Sequence, residues 1–455
     1  MLEIINPATE QVIAEVPADT VETITVKYHQ ASAAQPAWAA LPLADRLACI
    51  NRFAELLEKD KNTLARTLTT EVGKPLQQSL NELNGARARI DFFLNNAEKY
   101  LAEEWITEVG PTKEKITWEA LGVIANISAW NYPYLVGVNV FIPALIAGNA
   151  VLYKPSEYAL LTGLEIERMM LDAGVPKEIF QVIAGAGEAG KILLELPLDG
   201  YFFTGSYSTG KKIAEATAGK LVPVQMELGG KDPLYVMDDV EDIKATAAAA
   251  LEGVLYNAGQ SCCAVERIYV QEGVYDQFVE AIKAEASAMK MGDPTQQGID
   301  LGPLCRPQQL EVLQKQVKDA LDKGATLLFR PTDLPQKGYY YPITLLIGVD
   351  HSMSIMREES FGPVVGIQKV KTDAEAVGLM QDTVYGLTAA VYGTDKERAD
   401  NMMRQMRTGT VYFNCCDRVS ATLPWSGRGH SGIGSTLSYQ GIRAFVQPKA
   451  WHWRG

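Results

Sequence analysis

The pattern of apolar and polar positions divides the chain into stretches of different period. Residues 40–105 carry apolar side chains at helical spacing, and the run is broken at Gly73 and Pro75. Beyond them the period changes. Short apolar runs at 122–127, 150–154, 180–185, 201–205 and 222–230 predict strands, with helices around 136–148, 160–173, 188–196 and 209–218. Strands alternating with helices imply a parallel sheet with right-handed crossovers. A second series follows: an Ala-rich helix at 240–256, a strand at 265–271, a helix at 273–290, then further elements up to a helix and strand at 401–414. The polar, alternating segment 103–120 predicts a projecting hairpin, and 444–453 an added strand.

The expected class is therefore α/β. A Rossmann-like cofactor domain takes residues 1–102 and 121–227, and a second α/β catalytic domain takes 228–430. Segments 103–120 and 436–455 form a small β element for oligomerisation, because open strand edges invite partners. A homodimer or homotetramer is expected. Residues 121–153 carry no charge, so a membrane span has to be weighed. Pro133, Pro143 and four asparagines interrupt the stretch, and a buried strand–helix–strand fits it better.

Composition narrows the function classes. With 47% hydrophobic and 21% charged residues, the 455-residue chain can bury large cores. A formal charge of −13 argues against nucleic-acid binding and gives no support for docking on anionic lipid. The N-terminus lacks the basic and apolar regions of a secretory signal. Six cysteines are sparse for this length, and reduced thiols in a cytoplasmic protein are expected.

Two glycine turns could hold phosphate. Gly185-x-Gly187-x-x-Gly190 lies between a strand and a helix, but the acid downstream, Asp199, comes at about half the interval of a dinucleotide fingerprint. Gly205 and Ser206 also follow a strand, and Ser206 suits a helix N-cap. A plain strand-to-helix turn is the better reading of the first motif and explains the second equally well.

"NAGQSCCAVER" (257–267) places Cys262 beside Cys263. Alone, the pair fits buried apolar packing best. A zinc site with Cys415 and Cys416 would need both sulfurs of a vicinal pair on one metal, without the usual two-residue spacing and with only four histidines available. No metal is expected.

Several stretches in order resemble the NAD(P)-dependent aldehyde dehydrogenase superfamily: "AWNYP" (129–133), "YKPSE" (153–157), "FTGS" (203–206), "MELGGKDP" (226–233), "NAGQSCCA" (257–264), "REESFGPV" (357–364), "YGLTAAV" (385–391) and "LPWSGRGHSGIG" (423–434). They span nearly the whole chain. The resemblance implies oxidation of an aldehyde to its acid through a covalent thiol adduct. Cys262 would be the nucleophile, Glu227 the base for deacylating water, and the Asn131 amide the oxyanion donor, acting with the backbone N–H of Cys262. Cys263 would face the other way. Cofactor contacts would come from Trp130, Lys154, Ser156, Glu157, Gly187, Gly190, Phe203, Gly205, Ser206, Leu228, Glu359 and Phe361. A carboxylate at Glu157 would accept from ribose hydroxyls and repel a 2′-phosphate, which favours NAD over NADP.

Two positions depart from the family. Many relatives carry a Lys and a Glu where this chain has Val140 and Thr436, so a proton relay through that pair is in doubt. The aldehyde tunnel would be lined by Tyr132, Val136, Asn139, Tyr256, Trp425 and the loop from Arg418 to Thr422. Its aromatic walls suggest an apolar or aromatic aldehyde. The alternatives are a semialdehyde whose carboxylate meets Arg418, or a betaine or amino aldehyde stacked on the aromatic faces. Outside that class stand a cysteine-rich metal protein and a catalytically dead relative of the same fold. The presence of Cys262, Glu227 and Asn131 together argues against the last.

Overall fold

The computed structural model describes residues 1–455. Its first sheet has six strands, in the order Gly432–Ile433, Val224–Glu227, Gly200–Thr204, Val123–Ile127, Ala150–Lys154 and Phe180–Val182. All neighbours are parallel except the first pair. The chain starts this sheet at Val123–Ile127 and winds outward in both directions, so the strand order reverses between Val123–Ile127 and Gly200–Thr204. In open α/β sheets ligands bind at such a point, beyond the carboxyl ends of the strands. Here "SAWN" leaves one strand end and "GS" leaves the other.

The uncharged stretch is the expected strand–helix–strand, with helix Pro133–Ala147 between strands Val123–Ile127 and Ala150–Lys154. Pro133 suits the first helical turn, and Gly148, at φ 98°, supplies the left-handed C-cap. No helix is long and apolar enough to cross a membrane.

The second sheet has seven strands, in the order Thr326–Phe329, Thr344–Ile347, Val364–Val370, Val265–Gln271, Asp232–Val236, Thr388–Tyr392 and Thr410–Phe413. Each sheet has its own core, one around Phe141, Tyr153 and Phe180 and one around Tyr235, Ile268 and Phe278. A third sheet, antiparallel, joins Glu104–Thr107, Thr112–Ala120 and Val446–Arg454.

In the N-terminal segment, for which the pattern predicts no element, Leu2–Asn6 and Gln11–Val16 pair as a small hairpin, and Val21–Ala40 is helical. The C-terminal boundary also shifts. Gly432–Ile433 joins the first sheet, and Leu437, Ile442 and Phe445 are buried in the first core. Only Val446–Arg454 belongs to the projecting sheet, because its predecessors bury apolar side chains that a projecting strand would expose.

Candidate active site

The strand that ends at Glu227 in the first sheet leads through Gly229 and Gly230 into Asp232–Val236 of the second. Cys262 lies just before Val265–Gln271, the next strand of that second sheet. Both residues line one cavity at this passage from the first sheet to the second. The approach to Cys262 is unusual backbone: Asn257, Ala258 and Gly259 all have left-handed φ, at 55°, 53° and 73°. A Cβ on Gly259 would stand 2.3 Å from the Gly362 carbonyl oxygen, so this position requires glycine. Non-glycine residues persist at such φ only where the surroundings hold them. Here the Asn257 amide donates to the carbonyls of Asn131 and Gln260, each at 3.1 Å, and its N–H donates to Gln78 at 2.9 Å.

The same network fixes Asn131. The buried ammonium of Lys74 pairs with Glu82 and donates to the Asn131 carbonyl at 2.7 Å. Glu82 in turn accepts from the Tyr134 N–H at 2.9 Å. The Asn131 Nδ2 donates once, to the Gln260 carbonyl at 3.1 Å, which leaves one amide hydrogen unused. The Cys262 N–H has no protein acceptor either. These are the two donors that an oxyanion would require.

Cys262 is half-buried, whereas Cys263 is buried and donates its S–H to Asp417 at 2.9 Å. The expected opposite facing is not what the structure shows: the two cysteines lie in a turn, both line one cavity, and hydrogen bonding to Cys262 is the first cause that raises the Cys263 pKa. Glu227 is buried, and neither carboxylate oxygen has a hydrogen-bond partner. Burial pushes its pKa well above the usual carboxylate range, and the nearby Gln225 amide and Thr436 hydroxyl only partly offset this. Lys231 does not neutralise it, because it pairs with Glu266 at 2.7 Å.

Two cavities converge here. One, of about 590 Å³, is lined by Asn131, Glu227 and Cys262 together with all twelve cofactor candidates: Trp130, Lys154, Ser156, Glu157, Gly187, Gly190, Phe203, Gly205, Ser206, Leu228, Glu359 and Phe361. Ser206 caps helix Tyr207–Thr217 and accepts from the Thr209 N–H, so the free amides of that helix start face the cavity. Trp130 and Phe361 meet edge to face at 5.6 Å. Glu359 accepts from the Gly230 N–H at 3.1 Å, and burial with the nearby Glu266 raises its pKa to about 8.

The second cavity, of about 440 Å³, is lined by Tyr132, Val136, Asn139, Tyr256, Arg418 and Trp425, the residues expected along the tunnel. Val136 and Cys262 are the only residues common to both cavities. Arg418 lies at the mouth, two-thirds exposed and 3.8 Å from Glu252. Val140 is buried in the first core, and Thr436 is buried near Glu227 with its hydroxyl unpartnered.

Sequence reasoning missed three residues of this site. Lys74 and Glu82 form its hidden support, and Arg89 projects into the wall of the second cavity. All three are buried charges, and Glu82 and Arg89 interrupt the apolar stripe of helix Leu76–Leu101 formed by Leu83, Ala86, Ile90 and Phe93. Charges placed in an apolar stripe were the available signal. No three His, Cys, Asp or Glu side chains gather as a metal site.

A family model described as "Aldehyde dehydrogenase family" matches residues 1–451. The chloroplastic aminoaldehyde dehydrogenase of Arabidopsis thaliana is 35% identical over 461 residues, covering 98% of this chain and 92% of the relative. Among solved structures, an Escherichia coli enzyme described as NADP dependent superposes with a TM-score of 0.97 at 29% identity, over 100% of this chain and 95% of that one. Betaine aldehyde dehydrogenase of Staphylococcus aureus in complex with NAD+ superposes with a TM-score of 0.95 at 30% identity, over 99% and 91%.

Proposed function

The chain belongs to the aldehyde dehydrogenase family, and from that premise we propose that it oxidises a small aldehyde to the carboxylic acid with NAD, through a covalent adduct on Cys262. The observation that carries this reading is the position of Cys262 at the junction of the two cavities, beside two unused hydrogen-bond donors and a desolvated carboxyl.

The aldehyde enters by the second cavity, and the Cys262 thiolate, whose proton has passed to solvent water, attacks its carbonyl carbon. The oxygen, now an alkoxide, is held by the Asn131 amide and the Cys262 N–H. Once its hydride has left, this carbon remains as a thioester on Cys262; NAD, which the residues of the first cavity would hold, would supply the hydride acceptor. Glu227 then takes a proton from water, the water oxygen bonds to the thioester carbon, and the C–S bond breaks to return the thiolate and release the acid. Val140 and Thr436 offer no charge to carry the proton away, so it leaves Glu227 through water or backbone groups.

The residues suit this cofactor. The capped helix start at Ser206 offers amides to phosphate. Around Gly187 the space is open, with no atom within 4 Å of where a Cβ would stand. Glu157 in the same wall supports NAD over NADP. The related names point to amino or betaine aldehydes, and Tyr132, Tyr256 and Trp425 could stack on a cation. An apolar or aromatic aldehyde fits the same walls. Neither reading accounts for Arg89. Six free cysteines support a reducing compartment such as the cytoplasm.

The test is NADH formation over short aliphatic, aromatic, anionic and cationic aldehydes. Cys262→Ser should abolish it for all. Oxidation at an undiminished rate by Cys262→Ser would overturn the mechanism.

A further inference from the structure

Arg89 is 8% exposed, yet its guanidinium lines the same cavity as Cys262. Only Nη1 is used within the protein. It donates to the Leu135 carbonyl at 3.1 Å and to the Asn139 Oδ1 at 3.0 Å, while Nε and Nη2 have no protein acceptor. Nor does any acid pair with it. Glu82 is engaged by Lys74, Glu252 by Arg418 at the mouth, and Asp417 accepts from Cys263. A buried charge without a partner is expensive, and sites that keep one generally use it. Burial lowers its pKa only to about 10, so it is cationic at neutral pH. The planar edge left free can take a carboxylate with two parallel hydrogen bonds.

We propose that Arg89 is a specificity-determining residue that binds the distal carboxylate of the substrate, which makes the preferred aldehydes short ω-oxo carboxylates. The inference deepens the dehydrogenase reading above and rests on it. Tyr132, Tyr256 and Trp425 then flank the carbon chain between the aldehyde at Cys262 and the carboxylate at Arg89. A cationic aldehyde would meet an unpaired guanidinium and two acids that already have partners. Arg418, exposed and opposite Glu252, is not the anchor.

The experiment measures kcat/KM for an ω-oxo carboxylate, an alkanal and an ω-amino aldehyde of equal length, in the wild type, Arg89→Lys and Arg89→Leu. The wild type should prefer the ω-oxo carboxylate over the alkanal at least tenfold. Arg89→Leu should cut that ratio roughly 100-fold, the scale for losing one partner of a buried charge pair, and mainly through KM. Arg89→Lys, which keeps the charge and loses the fork, should fall between. As a reading independent of turnover, the saturated dicarboxylate of the same length should raise the melting temperature of the wild type and not of Arg89→Leu. A wild type that prefers the alkanal or the amino aldehyde, or an Arg89→Leu ratio equal to the wild type's, overturns the inference and leaves the dehydrogenase intact. If no aldehyde is oxidised, the dehydrogenase reading fails instead, and dicarboxylate binding alone decides the role of Arg89. Should Arg89→Leu not fold, the wild-type preference and Arg89→Lys decide it.

Discussion

Gly432 lies directly opposite Glu227 in an antiparallel pair that closes the first sheet. The Leu228 N–H donates to the Ser431 carbonyl at 3.0 Å, so this late segment clamps the strand that carries Glu227. Gly432 has φ 145°, and a Cβ there would stand 2.2 Å from the Met226 carbonyl oxygen. Gly432→Ala should therefore push the strand aside. The expected loss is about 1–3 kcal/mol of stability, read as a lower melting temperature, together with slower turnover on a preserved NADH burst. An unchanged melting temperature would show that the pair does not clamp Glu227.

The protonation of Glu227 sets a pH dependence. Its folded pKa is raised by burial, and only the ionised form can accept a proton from water. Acyl-enzyme hydrolysis should therefore rise about tenfold per pH unit above the ordinary carboxylate range, then level off once the raised pKa is passed. Glu227→Gln should remove that rise and leave a burst of NADH followed by slow turnover. Stability moves the other way. The native state binds this proton more tightly than the unfolded state does, so stability is lost as pH rises from the unfolded pKa through the folded one. Glu227→Gln should melt at a higher temperature than the wild type in alkaline buffer, and at about the same temperature below the unfolded pKa. Rapid-mixing kinetics and melting curves across pH check both signs.

Thr436 offers a finer test of the same carboxyl. Its hydroxyl is a neighbour that favours the ionised form. Thr436→Val keeps the shape and removes that hydroxyl, so the rise in hydrolysis with pH should shift upward. A profile that stays put would remove Thr436 from the environment of the base.

Much of this arrangement was legible in the sequence because local chemistry and tertiary context agree. The apolar runs at 150–154 and 265–271 are strands with the predicted bounds, since continuous apolar character fits a sheet covered on both faces. The cofactor and tunnel candidates, which the family resemblance implies, fall along two cavities. What stayed hidden depends on distant pairing. Nothing near Gly432 in sequence says that it faces Glu227. Lys74, between two helices, looks like a surface charge until the helices pack, and Glu82 and Arg89 are marked only by their places in an apolar stripe. The turn at 262–263 keeps both cysteines on the second cavity where an extended segment would part them, a geometry that residue types alone do not reveal.

Glu157 offers a test of the proposed cofactor choice. It lines the first cavity beside Lys154, whose ammonium donates to the Pro155 carbonyl at 3.2 Å. A ribose with free hydroxyls can donate to the carboxylate, whereas a 2′-phosphate would face a like charge. Glu157→Gln keeps the size and removes the charge. The ratio of kcat/KM with NAD to that with NADP should fall roughly tenfold, a change of about 1.4 kcal/mol, chiefly through weaker discrimination in KM. A wild type that uses both cofactors equally would assign no selectivity to Glu157.

The third sheet exposes a face that a solitary chain has no reason to keep. Trp105, Trp451 and Trp453 are 44%, 40% and 39% exposed. Trp453 stacks between the other two at 5.8 and 5.7 Å, and the Lys115 ammonium lies over all three rings. Strands Glu104–Thr107 and Val446–Arg454 are the two open edges of that sheet. An aromatic patch bordered by unpaired strand edges is the kind of surface that a contact between copies would bury, and that contact is the prediction. Sedimentation velocity should give a mass that is an even multiple of the monomer. Trp453→Asp would set a carboxylate in the centre of the stack and should shift the protein toward monomer, while circular dichroism of the two α/β cores stays the same because neither core contains Trp453. A monomeric wild type, or a Trp453→Asp oligomer as tight as the wild type, would move the contact to another face.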